Sequence, residues 1–368
     1  MYCDTNNIAI FITHNPEKTM TGKGNREALG RESDAAHAAG RCTYLLTIRR
    51  VRFDFGEAEE FKSYFVMLAG AGCEVLVVDG SPRGVFDAYG EVWQNVCRHA
   101  PVDPQYKYLN GKVNGIHTGI SLAAHERVIL ADDDIRYTPE DVQRMVELLD
   151  THDMVRPQNY PRPLPIRART EAARMLINRA WLKEGDYTGT LGVRRSAMLR
   201  FGHYDGDVLF DNEEIVRHFR LHHARIAYAR DFFILKRPPT LRKWMEQRPR
   251  QAYEDFVMRA KTLFFASLPP ALFILWLLAG WRWTASLAAV IACGSMLMAG
   301  RGLGDGASRY FPAWVCLYAP LWIAERAAST YWAFYWLLRY GGYPFGDKLL
   351  SKGTGRAWVA GGLNPLDE

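Results

Sequence analysis

The segment VILADDDIRYTP, residues 128–139, places three consecutive aspartates directly after an apolar run. A short apolar run that ends in a turn is typical of a buried strand in a parallel sheet. The stretch that follows, residues 138–150, predicts a helix with Thr138 as its N-cap and Pro139 in its first turn. The three carboxylates therefore stand where a buried strand ends and a helix is about to begin.

The same alternation of strand and helix precedes this segment. Two apolar runs, TYLLTIRR and CEVLVVDGSP, predict strands at residues 43–50 and 73–82, and helical spacing predicts helices at 57–72 and 110–125. Alternating strands and helices predict an α/β domain with a doubly wound sheet. Ligands of such sheets bind beyond the carboxyl ends of the strands, which is where the three aspartates lie.

Adjacent carboxylates repel one another unless a cation neutralises them. Mg²⁺ and Mn²⁺ bind carboxylate oxygens together with phosphate oxygens of a substrate. In an extended segment Asp132 and Asp134 point to the same side, which leaves Asp133 turned away. One reading is therefore a site for Mg²⁺ or Mn²⁺ at Asp132 and Asp134. The other is a solvated acidic turn that caps the helix beginning near Thr138.

The charge balance and the cysteines limit the class of protein. The 368 residues carry a formal net charge of +6, which fits contact with anionic lipid head groups or phosphorylated substrates. We expect no nucleic-acid partner, because the sequence has no zinc-finger, homeodomain or RNA-recognition signature. The six cysteines show no paired spacing and predict free thiols in a reducing compartment.

The composition changes sharply near residue 260. Residues 263–280 and 283–300 contain no charged side chain, and each run is close to the roughly 20 residues that span a bilayer. A third apolar region, 310–338, is interrupted by Glu325 and Arg326, which are costly in mid-bilayer. We favour two spans followed by an interfacial segment. Four short spans and a buried helical core of a soluble domain are the alternatives.

The organisation that follows has four parts. Residues 1–40 are polar and aperiodic and predict a disordered extension. An α/β domain is expected at 41–258 and membrane helices at 259–340. Residues 341–368 contain several basic side chains, which favours a cytoplasmic tail. The domain and the tail would then lie on the same face of the membrane.

Six motifs occur in order across residues 43–256: VVDGSP, NGKVNGI, ADDDIRY, TGTLGVRRS, LFDNEE and QRPRQ. Together they resemble family 2 glycosyltransferases of the GT-A fold. The apolar C-terminal region is similar to the membrane-bound branch that includes cellulose synthase-like and ceramide glucosyltransferase-like enzymes. The resemblance implies inverting transfer of a sugar from a nucleotide-sugar donor to a hydroxyl of a lipid-linked or cell-envelope glycan acceptor. It also implies an integral protein of a bacterial inner membrane, with its catalytic domain in the cytoplasm.

The resemblance further implies roles for individual residues. Those assigned to the donor and its metal are Asp79, Lys112, Asp132, Asp134, Gln247 and Arg250. Asp132 and Asp134 would hold Mg²⁺ or Mn²⁺ on the donor diphosphate. A turn of small residues on the acceptor side is formed by Thr188, Gly189 and Thr190. The family's Q-x-x-R-W motif has Gln251 in place of its Trp, which favours a single transfer over polymer synthesis.

An inverting transfer needs a carboxylate that deprotonates the acceptor hydroxyl. The segment FDNEEIVRHF offers Asp211 first, with Glu214 and Glu213 behind it, whereas Asn212 cannot act as a base. The alternative is an acidic first turn favoured by the helix dipole.

Two rival functions remain. A nucleotidyltransferase-like enzyme would use Asp79 and the acid pair but not Gln247, Arg250 or the acids of residues 211–214. A catalytically degenerate membrane scaffold is favoured by Asn212 and the missing Trp.

Six arginines at positions 156, 162, 167, 169, 174 and 179 form either a solvated face or a contact with lipid head groups or an acceptor pyrophosphate.

Overall fold

The chain alternates strands and helices up to Lys236 and is mostly helical beyond it. The computed structural model describes residues 41–345 and 348–355, so the extension predicted at 1–40 lies outside the described residues. The strands are β1 (Cys42–Ile48), β2 (Cys73–Asp79), β3 (Arg98–Pro101), β4 (Arg127–Ala131), β5 (Ile135–Arg136), β6 (Met154–Pro161), β7 (Thr190–Arg194), β8 (Ile226–Lys236), β9 (Tyr343–Phe345) and β10 (Lys348–Leu350).

Helices connect and follow these strands. They are α1 (Phe55–Gly70), α2 (Arg83–Trp93), α3 (Gly111–Leu122), α4 (Pro139–Thr151), α5 (Ile166–Trp181), α6 (Arg195–Phe201), α7 (Asp211–Leu221), α8 (Leu241–Glu254), α9 (Arg259–Ala279), α10 (Trp281–Arg301) and α11 (Ala319–Tyr340). The N-cap predicted for α4 is confirmed, since the Thr138 hydroxyl accepts a hydrogen bond from the Asp141 backbone N–H as part of a capping box.

Eight strands form one sheet in the order β3-β2-β1-β4-β7-β6-β8-β5. The α/β class is confirmed. The sheet is mixed, however, because β7 runs antiparallel to both β4 and β6. Alternate side chains of the central strands enter two cores. Tyr44 and Leu46 pack with α1 and α4 on one face, whereas Leu45 and Val78 pack with α3 and α7 on the other.

Within the described part of the chain, α9 and α10 are the two helices long and apolar enough to cross a membrane, which is weak evidence by itself. Helix α11 differs, because its charged pair packs against α8 and the residues that directly follow it. Arg326 donates hydrogen bonds to Asp255 and Gln251, and Glu325 lies 3.5 Å from the guanidinium of Arg248. This pairing accommodates both charges without placing them in lipid.

The first part of the tail predicted at 341–368 packs against the domain. The backbone N–H groups of Leu209 and Phe210 donate to the carbonyl oxygens of Lys352 and Gly353. The N–H of Gly355 donates to the Glu214 carboxylate at 2.7 Å. Residues 351–355 therefore support the start of α7, and the remainder of the predicted tail, 356–368, lies outside the described residues.

The arginines of residues 156–179 do not form a solvated face. Arg156, Arg174 and Arg179 are buried, and each is hydrogen-bonded. Arg179 donates to the carbonyl oxygens of Gly302 and Gly304, directly after α10. Charged side chains are rarely buried without partners. These three arginines therefore serve the fold, and Arg179 joins α5 to the end of α10.

The contact between α10 and α5 predicts a specific loss of stability. A Cβ atom at Gly302 would collide with the carbonyl oxygen of Leu176 in α5, whereas a Cβ at Gly300 would meet nothing within 4 Å. We expect Gly302→Ala to lower the free energy of unfolding by about 1–3 kcal/mol. Gly300→Ala should leave it unchanged or raise it slightly. Thermal unfolding of both variants in a neutral detergent measures the difference, and equal stabilities would contradict this docking.

Candidate active site

A cavity of about 640 Å³ opens at the carboxyl ends of β1 and β2, as expected for an α/β sheet. The first residues of α3 and α7 and the turn after β4 form its floor. Helices α5, α8, α9 and α11 supply the opposite wall. The cavity thus lies where the sheet meets the C-terminal helices.

The three aspartates form a turn and not an extended strand end. The N–H of Ile135 donates to the carbonyl oxygen of Asp132 at 3.1 Å. All three carboxylates line the cavity, so the expectation that Asp133 is turned away is wrong. Asp133 pairs with Arg50 at 2.8 Å and with Lys243 at 3.4 Å. Burial alone would raise the pKa of Asp133, but the two cations outweigh it and lower the pKa to about 2.

Asp134 has a different environment. Its Oδ1 atom is buried without a hydrogen-bond partner, and its Oδ2 lies 3.7 Å from the ammonium of Lys236. Burial raises the pKa of the Asp134 carboxyl, and the neighbouring Asp132 and Asp133 act in the same direction against Lys236. A buried acceptor atom without a partner is unusual and fits the coordination of a cation.

A metal bound here would need further ligands from outside the chain. Among the described residues, no group of three or more His, Cys, Asp or Glu side chains converges on one point. Mg²⁺ typically takes one or two carboxylates plus substrate phosphates and water, so two aspartates fit such a site. Asp132 and Asp134 are thus suited to a metal that arrives with a phosphorylated substrate.

Lys112 lies at the centre of the site. It sits in the first turn of α3, whose N-cap Asn110 accepts a hydrogen bond from the Lys112 N–H. The Nζ atom lies 2.5 Å from Asp132 Oδ1 and 2.6 Å from Asp211 Oδ2, and it donates to Asn212 at 3.2 Å. Burial alone would lower the pKa of Lys112, but Asp132 and Asp211 outweigh it and raise the pKa. The ammonium therefore stays charged and joins the acid turn to α7.

The three acids at the start of α7 have separate roles. Glu213 pairs with the buried Arg156 at 2.6 Å, and Glu214 pairs with Arg217 and accepts from the N–H of Gly355. Neither glutamate lines the cavity, whereas Asp211 does. Of the three predicted bases, Asp211 is the one that lines this cavity beside the acid turn.

The predicted acceptor turn is only partly exposed to the cavity. Thr188 and Gly189 line it, and a Cβ atom at Gly189 would come within 2.9 Å of Asp132 Oδ2. A glycine is required there because the acid turn packs directly against its backbone. Thr190 is buried, and its hydroxyl donates to the carbonyl oxygen of Leu130. It thus holds β7 against β4 and does not face the cavity.

The remaining predicted donor residues divide in the same way. Gln247 and Arg250 on α8 line the cavity. Arg250 donates to the carbonyl oxygen of Leu209, and its guanidinium stacks on Phe345 of β9. Asp79 does not line the cavity. Its Oδ1 atom accepts a hydrogen bond from the Ser81 N–H at 2.8 Å, and its Oδ2 atom lies 3.1 Å from His99 Nε2. Asp79 is therefore engaged in shaping the loop after β2.

Residues 71–204 match the sequence model of the family described as glycosyl transferase family 2. The chain carries a family 2 glycosyltransferase domain, and the protein is a glycosyltransferase. The match includes Lys112, the acid turn and the turn at 188–189, but it ends before Asp211. A comparison with curated proteins finds no match.

Among solved structures, this glycosyltransferase is similar to the mannosyltransferase PcManGT from Pyrobaculum calidifontis in complex with GDP-Man and Mn²⁺. That match has 20% identity, covers 83% of this chain and 99% of that chain, and has a TM-score of 0.46. Glucosyl-3-phosphoglycerate synthase from Mycobacterium tuberculosis, in complex with Mn²⁺, UDP and glucosyl-3-phosphoglycerate, matches at 16% identity. That match covers 63% of this chain and 81% of that chain, with a TM-score of 0.38.

Several cavity residues of the glycosyltransferase were not identified from the sequence. These are Arg50, Glu171, Lys236, Lys243, Lys261 and Lys348. Arg50 follows β1 as the aspartates follow β4, so its place at a strand end was a usable signal. Lys261 and Lys348 come from segments on either side of the apolar helices, and no local pattern links them to the sheet.

The separate roles of the α7 acids predict opposite effects of two substitutions. We expect Asp211→Asn to lower kcat for sugar transfer by about 100-fold or more while stability is kept, since a positioned base contributes about that much. Glu213→Gln should lower the free energy of unfolding by about 1–3 kcal/mol, because Arg156 loses its partner. Turnover and thermal unfolding measured on both variants test this. A Glu213→Gln protein that is stable yet inactive would make Glu213 the better candidate for the base.

Proposed function

We propose that the protein is a membrane-bound, metal-dependent, inverting glycosyltransferase. It transfers a sugar from a nucleotide-sugar donor to a hydroxyl of a lipid-linked or cell-envelope glycan acceptor. The observation that carries the proposal is the position of Lys112, whose ammonium contacts Asp132 and Asp211 within one cavity. A donor-side carboxylate and a candidate base therefore lie within the reach of one side chain.

On the donor side, Asp132 and Asp134 would hold Mg²⁺ or Mn²⁺. The metal would supply Lewis-acid stabilisation of the diphosphate as negative charge develops on it. Lys112 and Arg250 line the same cavity and would bind that diphosphate. Gln247, on the same helix as Arg250, would orient it through its amide group.

On the acceptor side, Asp211 would take the proton of the attacking hydroxyl. In the described structure the Asp211 carboxylate is engaged by the Lys112 ammonium at 2.6 Å. A bound diphosphate would compete for the Lys112 ammonium and thereby release Asp211. Thr188 and Gly189 would let an acceptor sugar approach the backbone closely, and Tyr187 beside them also lines the cavity.

The membrane assignment rests on α9 and α10. These helices are 21 residues each and largely exposed, and Trp281 and Trp283 in the first turn of α10 suit a membrane interface. Residues 343–345 and 348–355 contact the catalytic domain, as do the residues that precede α9. If the segments before and after these helices contact the domain on the same side of the membrane, the chain crosses the membrane an even number of times. We propose that this side is the cytoplasm.

The two rival functions use the site differently. A nucleotidyltransferase has no role for Asp211, which faces the cavity beside Lys112. A degenerate scaffold has no need to keep the Oδ1 atom of Asp134 buried without a partner, because such an atom destabilises the fold unless it serves a ligand.

The direct test uses the full chain in a neutral detergent with a panel of nucleotide sugars and Mn²⁺ or Mg²⁺. We expect release of nucleoside diphosphate with one donor, lost when the metal is chelated. Asp134→Asn should lower kcat/KM by about 100-fold or more, since a catalytic metal contributes several kcal/mol. Asp231→Asn, which removes an exposed carboxylate paired with Arg144, is the matched control and should retain activity.

Two other outcomes would contradict the proposal. Release of pyrophosphate from a nucleoside triphosphate would identify a nucleotidyltransferase. If no donor in the panel releases nucleoside diphosphate, and calorimetry detects no binding of Mn²⁺ and nucleoside diphosphate, the protein is a scaffold.

A further inference from the structure

The cavity wall carries an excess of positive charge. Eleven lysine and arginine side chains line the cavity against seven carboxylates. Three further carboxylates reach these cations from behind the wall: Glu57 pairs with Arg50, Asp186 with Arg174 and Glu325 with Arg248. One positive charge remains among these groups when all ten carboxylates are ionised. An enclosed site with such an excess attracts anions.

The donor by itself does not account for this excess. On the proposed function, on which this inference rests, the donor brings a diphosphate of about two negative charges, and its divalent metal brings two positive charges. These contributions cancel. The positive excess therefore persists in the donor complex, and it is available to the second substrate.

The excess is concentrated where the cavity meets the C-terminal helices. Lys261 at the start of α9 and Arg326 in α11 share a single carboxylate, Asp255, at 2.8 Å and 3.2 Å. Arg326 is 1% exposed, yet its Nε atom has no hydrogen-bond partner. Buried donors are nearly always paired, so a buried guanidinium nitrogen beside a cavity indicates a missing acceptor.

The surroundings of Lys261 indicate what carries that acceptor. The uncharged run 263–280 begins two residues later, and its first side chains are exposed: Leu263 by 68% and Phe264 by 47%. An anion held at Lys261 would thus lie beside the end of an apolar helix surface. A soluble anion needs no such surface, whereas a lipid chain would cover it.

We propose that Lys261 and Arg326 bind a phosphate group of a lipid-borne acceptor. The phosphate oxygens accept hydrogen bonds from the Lys261 ammonium and the Arg326 guanidinium, and the lipid chain lies along α9. Charge-assisted hydrogen bonds of this kind are among the strongest available to a protein. The acceptor hydroxyl then enters the cavity from the membrane side, towards Asp211.

The test measures binding, so that it does not depend on turnover. The full chain in a neutral detergent is titrated with dodecyl phosphate and, separately, with inorganic phosphate, each followed by calorimetry. We expect Lys261→Gln to weaken dodecyl phosphate binding about tenfold, the effect of losing one charged hydrogen bond. Arg326→Gln should do the same where it folds. If the Arg326→Gln variant does not fold, the test rests on Lys261→Gln alone, because the Lys261 side chain is 20% exposed and tolerates substitution better.

The matched control is Arg282→Gln, which removes an exposed cation in the first turn of α10, just beyond the C-terminal end of α9. It should bind dodecyl phosphate as the unaltered protein does. Equal weakening by Arg282→Gln would mean general attraction to charged micelles and would overturn the site. Binding unaffected by Lys261→Gln would overturn it as well. Inorganic phosphate binding as tightly as dodecyl phosphate would overturn the lipid source.

Binding of Mn²⁺ with a panel of nucleoside diphosphates, measured on the same samples, separates this inference from the proposed function. Retained nucleotide binding with phosphate binding insensitive to Lys261 would reject the lipid phosphate site alone. If the unaltered protein binds none of the nucleoside diphosphates with Mn²⁺, the proposed function is rejected.

Discussion

The ammonium of Lys112 is the one group that the rest of the site depends on. It lies between Asp132, at the end of a central strand, and Asp211, at the start of α7. Without it two carboxylates would face each other across a poorly solvated cavity, which is unfavourable. Helix α3 places this side chain through the Asn110 N-cap, and the acid turn packs against Gly189. Sheet, turn and helix are therefore joined at a single charge.

The C-terminal part of the chain completes the same site. The charged pair of α11 is neutralised by α8 and Asp255, and residues 351–355 support the start of α7. Helix α11 and the residues that follow it are thus connected to α8 and to the start of α7, where the residue proposed as base lies, through buried ion pairs and backbone hydrogen bonds. Lys261 and Arg326 bring positive charge to the junction. On the proposed function, this arrangement would let the transferase meet an acceptor that arrives from a membrane.

Local patterns predicted the fold well, because apolar runs and the Thr138 cap depend on neighbours in sequence. The position of the acid turn followed from the run before it. The orientation of Asp133 did not, because the backbone turns at Asp132 and alternation no longer applies. The burial of Thr190 depends on its pairing with a distant strand. The cavity role of Arg326 was hidden within an apolar segment, because its partner Asp255 lies 71 residues away.

The central claim is that Lys112 and Asp211 act as one unit in sugar transfer. The most direct measurement is a double-mutant cycle on kcat/KM with Lys112→Met, Asp211→Asn and the double variant. The account predicts strong coupling: the double variant should lose little more activity than the worse single variant, because each change already breaks the unit. Losses in the two single variants that add in full in the double variant would contradict the account.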